Sequence, residues 1–318
     1  YRNVEKIMKW IKRILLGILS LYLFALMLDV FISKSLLKSS LYNDELKTWS
    51  VINNDILDKD ILVFGSSRAM AHVNPVIFKS ITNKSTYNLG YNAQNLPLIK
   101  YRIDVSESKT NAKNFILVLD DFTFRDNTIF KIDQLSPILL YNIKLYNIQK
   151  GIDYYKIYDV YIPLIRYFKN YNENNWFKEL YKVFAYSKTK TFKVNGYRKL
   201  DLKWKEEKYT SQNSIIDFDE NIFNLLKQII DDCKKKNINL ILVTSPTYID
   251  FIHHQKNHDF IIDKVKKISN ENNILFIDYS RMPEIMDKQY FADKLHLNSK
   301  GADIFTKKLA EDIKPYLK

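Results

Sequence analysis

The chain has 318 residues, with 49 Lys and Arg against 36 Asp and Glu and a net charge of +13, enough for one large domain plus an additional segment. The positive excess suits anionic surroundings such as lipid head groups, charged envelope glycans or nucleic acid. No zinc-finger spacing, RNP-like segment or dense basic helix supports nucleic acid as a partner. A single cysteine, Cys233, excludes an internal disulfide and sits in a helical pattern as buried filler.

From Ile14 to Ile32 the sequence is almost wholly apolar, broken by Gly17, Ser20 and Asp29, and a helix of that length reaches across a hydrocarbon layer of ~30 Å. Lys6, Lys9, Lys12 and Arg13 precede it. Residues 1–13 are therefore expected to be a cytoplasmic flank, with everything after the span outside. The sequence starts at Tyr1, and a short further cytoplasmic tail is expected before it. A cleaved signal peptide fits less well, because Asp29, Val30 and Phe31 stand where a small-x-small site would be. A core helix would show a polar face, yet Leu15, Leu16, Ile18, Leu19, Leu21, Leu23 and Phe24 cover every direction. The reading is a single-pass membrane protein anchored in the cell membrane by residues 14–32, with a connector at 33–59.

Short apolar runs recur after the connector: Asp60 to Gly65, Thr86 to Gly90, Phe115 to Leu119, Asn239 to Thr244 and Ile274 to Tyr279. Helical patterns lie between most of them, at Leu96 to Ser106, Ile222 to Lys236 and Phe260 to Asn270, and a last one runs from Ser299 to Leu317. Such alternation predicts an α/β fold, a doubly wound parallel sheet in three layers with helices on both faces. The domain is expected to occupy 60–318, with its active site beyond the carboxyl ends of the strands.

Between about 125 and 216 no βα unit is visible. Apolar residues at helical spacing around Tyr154 to Phe168 and Trp176 to Phe184 suggest a largely helical insertion over the carboxyl edge of the sheet. It is read either as a substrate lid or as a packing elaboration. Tyr161 and Trp176 are candidates for stacking on sugar rings, or simply core.

Two constellations carry chemistry. Phe64-Gly65-Ser66-Ser67-Arg68 follows the first strand and precedes a helical stretch, which puts the Ser67 hydroxyl on a strand-to-helix turn near free amides, where an oxyanion is stabilised. A Gly-Ser-Ser turn is also an ordinary helix cap. Near the end, Phe291-Ala292-Asp293-Lys294-Leu295-His296-Leu297-Asn298 precedes Gly301 and the last helix, placing a carboxylate three residues before a histidine. A serine needs a base to remove its proton, and the base needs a partner to fix its tautomer, so Asp293 and His296 fit Ser67. Taken alone, the pair also reads as a cap or a surface ion pair.

Together these elements resemble the SGNH, or GDSL-type, esterases and acyltransferases. The resemblance rests on the strand followed by Gly-x-Ser, on Asn88-Leu89-Gly90 after the second strand, and on Asp-x-x-His-Leu-Asn-x-x-Gly before the last helix. It covers about 60–122 and 238–316 and implies a flavodoxin-like sheet without a cofactor. Ser67 is then the nucleophile, Asp293 and His296 its partners, and the amides of Ser67 and Gly90 the oxyanion donors. Ser66 replaces the usual acidic residue. Leu119-Asp120-Asp121-Phe122 replaces the usual Gly-x-Asn-Asp, so the asparagine donor is missing and Asn92 or Asn95 is the substitute. Arg68, Asp120, Asp121 and Ser245 are expected near substrate.

His253, His254 and His258 cluster after the fourth strand without a carboxylate at ligand spacing, and no metal is expected. The anchor and the altered third block resemble the branch that works on envelope polymers, including proteins of D-alanyl transfer to teichoic acids and anchored polysaccharide acyltransferases. That implies acyl transfer to or from an envelope glycan, with a multispanning membrane acyltransferase as a candidate partner. Alternatives are a non-catalytic scaffold on the same fold, and a plain esterase of small lipids.

Overall fold

Strands without charged residues form where both faces can be covered, and the apolar runs of this chain become buried parallel strands for that reason. The computed structural model describes residues 2–38, 48–49, 51–52, 57–125, 139, 155–168, 193–202, 204, 214–217 and 220–318. It divides into two units, Tyr1–Ser50 with Lys131–Lys190, and Val51–Phe130 with Thr191–Lys318.

Along the chain the strands are β1 (Ile61–Gly65), β2 (Thr86–Asn88), β3 (Asn114–Leu119), β4 (Lys193–Val194), β5 (Tyr197–Arg198), β6 (Asn239–Thr244) and β7 (Leu275–Ile277). The helices are α1 (Arg2–Lys38), α2 (Ser67–His72), α3 (Pro75–Thr82), α4 (Leu96–Glu107), α5 (Ile157–Tyr161), α6 (Asn221–Lys235), α7 (Ile249–His254), α8 (His258–Glu271) and α9 (Ser299–Ile313).

In the larger unit a five-stranded parallel sheet runs in the order β2-β1-β3-β6-β7. The order reverses at β1, which opens a crevice at its carboxyl end. Alternate residues point to opposite faces. Ile61, Val63, Ile116, Val118, Ile241 and Val243 pack with Phe305 and Leu309 of α9, and α2 and α3 lie against the same helix. On the other face α6 packs against α4 and α8. Phe64 meets Phe115 there, with ring centroids 4.9 Å apart. The fold is thus the expected three-layer doubly wound α/β sheet.

The insertion expected at 125–216 is described only in part, and Trp176 to Phe184 lies outside the described residues. Its described parts include α5 and also a β-hairpin, β4 against β5, which the reading of a largely helical insertion did not place. The turn is Asn195-Gly196, with φ of 47° and 84°, the dipeptide that closes tight hairpins by accepting positive φ. Asn195 accepts a hydrogen bond from the Asn88 amide at 2.9 Å, so the hairpin docks on the end of β2. A Cβ on Gly196 would stand 1.8 Å from the Asn88 carbonyl oxygen, which leaves room for glycine alone.

In the smaller unit α1 extends beyond the expected 14–32 at both ends, and its Asn3–Leu36 stretch is long and apolar enough to cross a membrane. Asp29, the charge that interrupts this stretch, is fully buried and holds the Arg166 guanidinium, with Nη1 donating to Oδ2 at 2.7 Å. It also accepts from the Leu164 amide and the Ser33 hydroxyl.

Candidate active site

The turn that presents Ser67 is fixed by its glycine. Gly65 has φ +146°, and a Cβ there would come within 2.5 Å of the Val118 carbonyl oxygen and 2.7 Å of the Ala69 Cβ. Only glycine lets β1 end and α2 begin so close to β3. Ser66 caps α2, its Oγ accepting from the Arg68 amide at 3.2 Å while its hydroxyl donates to the Asp120 carboxylate. Ser67 is the first residue of α2, so its amide is among the first-turn donors a helix leaves open.

The opposing loop is equally constrained. Phe291 and Leu297 form an antiparallel bridge, and the Ala292 amide donates to the His296 carbonyl at 2.8 Å. Asp293 Oδ1 accepts from the amides of Leu295 and His296 at 2.8 and 2.9 Å. His296 Nδ1 lies 3.0 Å from each Asp293 oxygen, and Nε2 lies 2.8 Å from Ser67 Oγ. With the Nδ1 proton donated to the carboxylate, Nε2 is the free base that accepts the serine proton. Burial alone would raise the Asp293 pKa. The hydrogen bond and charge of His296, with the two amides, outweigh it and hold the carboxyl below its ordinary range. Asn298 then caps α9 by accepting from the Gly301 amide at 3.1 Å. The Asn-x-x-Gly tail of the motif is this cap.

A second histidine, absent from the sequence reading, joins the two halves. His72, at the end of α2, is completely buried. Its Nε2 accepts the Leu297 amide at 2.9 Å, so Nδ1 carries the proton and donates to Ser245 Oγ at 3.0 Å. The helix that begins with Ser67 is thereby tied to the residue after His296, and the two imidazole centroids are 6.3 Å apart. Burial, followed by the positive charges of His296 and Arg68, pushes His72 well below its ordinary pKa and keeps it neutral. The signal available in sequence was a histidine on the short helix that starts at the serine.

Several expected site residues have other partners. The Gly90 amide donates to Asn88 Oδ1 at 2.9 Å, so it is not the open oxyanion donor that the resemblance implies. The glycine is required for packing instead, since a Cβ would meet the Met70 amide nitrogen at 2.5 Å. Asn95 caps α4. Asn92 is half-buried and its side chain makes no hydrogen bond among the described residues. It sits in a turn with Ala93, which holds a left-handed φ of 56° that a side chain disfavours. The Tyr91 amide donates to the Gly65 carbonyl at 3.1 Å, so this turn leaves the sheet beside the Gly65–Ser66 peptide.

Asp120, Asp121 and Ser245 are all buried. Asp120 holds Ser66, and Ser245 holds His72. Asp121 accepts from His258 Nδ1 at 2.9 Å, and His258 Nε2 lies 3.3 Å from Ser280 Oγ. This last chain braces the carboxyl ends of β3 and β7 across β6, and it involves the one histidine of the 253–258 cluster that is buried. Arg68 is buried too. Its Nη1 donates to Thr247 Oγ1 at 2.6 Å, while Nε and Nη2 have no partner among the described residues. Among the described residues no three His, Cys, Asp or Glu side chains are grouped as metal ligands.

No protein-family model matches this sequence, and no curated protein does. Among solved structures, a Streptococcus pneumonia protein provisionally named a platelet activating factor is 12% identical, with a TM-score of 0.45 over 86% of this chain and 91% of that one. A lipase/acylhydrolase from Enterococcus faecalis is 10% identical, with a TM-score of 0.42 over 81% and 96%. A family two carbohydrate esterase from Clostridium thermocellum is also 10% identical, with a TM-score of 0.41 over 82% and 65%. These likenesses are remote, and what the chain does has to be argued from its own site.

Proposed function

We propose that this chain is a membrane-anchored serine esterase or acyltransferase of the SGNH type, acting outside the cytoplasm on a cell-envelope glycan or polymer. The observation that carries the chemistry is the row of contacts from Ser67 Oγ to His296 Nε2 at 2.8 Å and from His296 Nδ1 to Asp293 at 3.0 Å. Ser67 attacks an ester carbonyl and passes its proton to His296. The imidazolium returns that proton to the departing alkoxide, which leaves an acyl-serine. A glycan hydroxyl or water then attacks the acyl group and gives its proton to His296, which passes it to the departing Ser67 oxygen and so restores the free serine. The oxyanion is held by the Ser67 amide together with the Asn92–Ala93 turn.

The location and substrate rest on other features. The apolar α1, with basic residues in its first turns, supports an anchor in the cell membrane with the parallel-sheet domain outside, and the +13 charge supports an anionic polymer as substrate. A multispanning membrane acyltransferase is the proposed source of acyl groups. One observation favours a second reading, a non-catalytic scaffold. The Gly90 amide is spent on Asn88, and a carboxylate, Asp121, stands in place of the asparagine donor, so the oxyanion site has fewer donors than the resemblance implies.

Labelling of the full-length protein in detergent by a fluorophosphonate probe separates the two. The enzyme reading expects labelling of the wild type, none in Ser67→Ala, and a loss of roughly 10²- to 10⁴-fold in rate in His296→Ala. A folded wild type that stays unlabelled supports the scaffold.

A further inference from the structure

The segment 157–168, IYDVYIPLIRYF, is built inside out relative to a surface that faces water. Its two charged residues, Asp159 and Arg166, are turned inward. Asp159 accepts the Lys156 amide at 2.6 Å, and Arg166 is held by Asp29. Its large apolar side chains point outward, with Ile157, Tyr158, Tyr161, Ile162 and Phe168 each between 44% and 53% exposed. A water-facing segment of this length places its charges the other way round.

The same segment is bonded along one side of α1. The Tyr22 hydroxyl donates to the Tyr161 carbonyl at 3.0 Å, Asp29 takes Leu164 and Arg166, and the Ser33 hydroxyl meets that of Tyr167 at 2.7 Å. Asp29, Ile32, Ser33 and Leu36 are buried along one helical face, and Phe24, Met27, Leu28 and Phe31 are exposed beside them. From Tyr22 to Ser33 the helix rises about 16 Å at ~1.5 Å per residue, roughly half of a ~30 Å hydrocarbon layer. The exposed apolar surface of 157–168 is therefore continuous with that of α1 over the depth of one leaflet.

We infer that residues 157–168 form a second membrane-embedded element, which enters the leaflet at the carboxyl end of α1 and lies against that helix with its outer face in lipid. The inference rests on the anchor reading above. It explains Asp29, since a carboxylate is tolerated at that depth when it is paired and hydrogen-bonded. It also explains why Arg166 and the Leu164 amide are aimed at the helix and away from solvent.

The test uses the full chain in phosphatidylglycerol–phosphatidylcholine nanodiscs, in a Cys233→Ser background, with a nitroxide attached through Leu19→Cys, Ile162→Cys, Phe168→Cys or Lys307→Cys. Collision with oxygen marks lipid, and collision with a water-soluble nickel chelate marks solvent. The expected result is that positions 162 and 168 follow position 19, with oxygen dominant, and that 307, on the exposed face of α9, shows the reverse. Nickel-dominant signals at 162 and 168 with lipid contact at 19 overturn the inference and leave the anchor standing. Nickel-dominant signals at 19 as well overturn both. Immobile labels at 162 and 168, shielded from both reagents, show that protein covers this face and also overturn it.

Discussion

His72 is the residue whose role is easiest to separate from the proposed chemistry, because it contacts the loop that holds His296 and not Ser67. Its neutral ring accepts the Leu297 amide, so protonation would cost that bond and place a charge in a fully buried site. A histidine whose folded pKa lies below its unfolded value stabilises the fold above the ordinary value of 6.5 and gives that stability up as pH falls below it. The melting temperature of the wild type should therefore decline from pH 8 to pH 5 more steeply than that of His72→Gln. Equal slopes in the two proteins would remove His72 as the titrating group. Ser67, Asp293 and His296 were legible in sequence because a glycine turn and a loop motif are local patterns. Gly90 was misassigned because its spacing resembles an oxyanion glycine, whereas its amide is bonded to Asn88, a neighbour the motif does not mark as a competitor.

Among the elements, α1 and 157–168 are joined by a pair whose charges have no contact with water. Removing one member of a buried pair leaves the other uncompensated, at a cost of about 3–5 kcal/mol, while replacing both with apolar residues is often neutral. In detergent, Asp29→Leu should speed proteolysis within 155–168. The double variant Asp29→Leu/Arg166→Leu should bring it back toward the wild-type rate, and a double variant as labile as the single would show that the charges themselves are required. The β-hairpin at Lys193–Arg198 is the element that was available in sequence and not used. Asn195-Gly196 is a strong hairpin signal, and the surrounding Tyr, Lys and Asn composition masked it.

For the whole molecule, the +13 charge sets how anionic partners approach. Attraction between exposed charges is screened over a Debye length of about 30 Å at 0.01 M salt and about 8 Å at 0.15 M. Association of a soluble anionic glycan with the nanodisc-held protein, followed by surface plasmon resonance, should slow markedly between these conditions, and a dextran without charge should show no such change. A salt-independent rate for the anionic glycan would mean that the net charge has no part in recognition.

By itself the sequence determined the alternation of strands and helices, the apolar span and the residues of the Ser67–His296–Asp293 row, since each depends on patterns within a few turns of chain. Apolar periodicity and glycine turns express backbone constraints that act locally. The tertiary structure alone decided which polar groups are spent on one another. Asp29 reads as a flaw in an apolar helix until Arg166 meets it from 137 residues away. Asp120, Asp121 and Ser245 read as substrate contacts until Ser66, His258 and His72 occupy them. Burial makes an unpartnered polar group costly, and which partner a group finds is fixed by packing between distant segments, for which a local pattern carries no record.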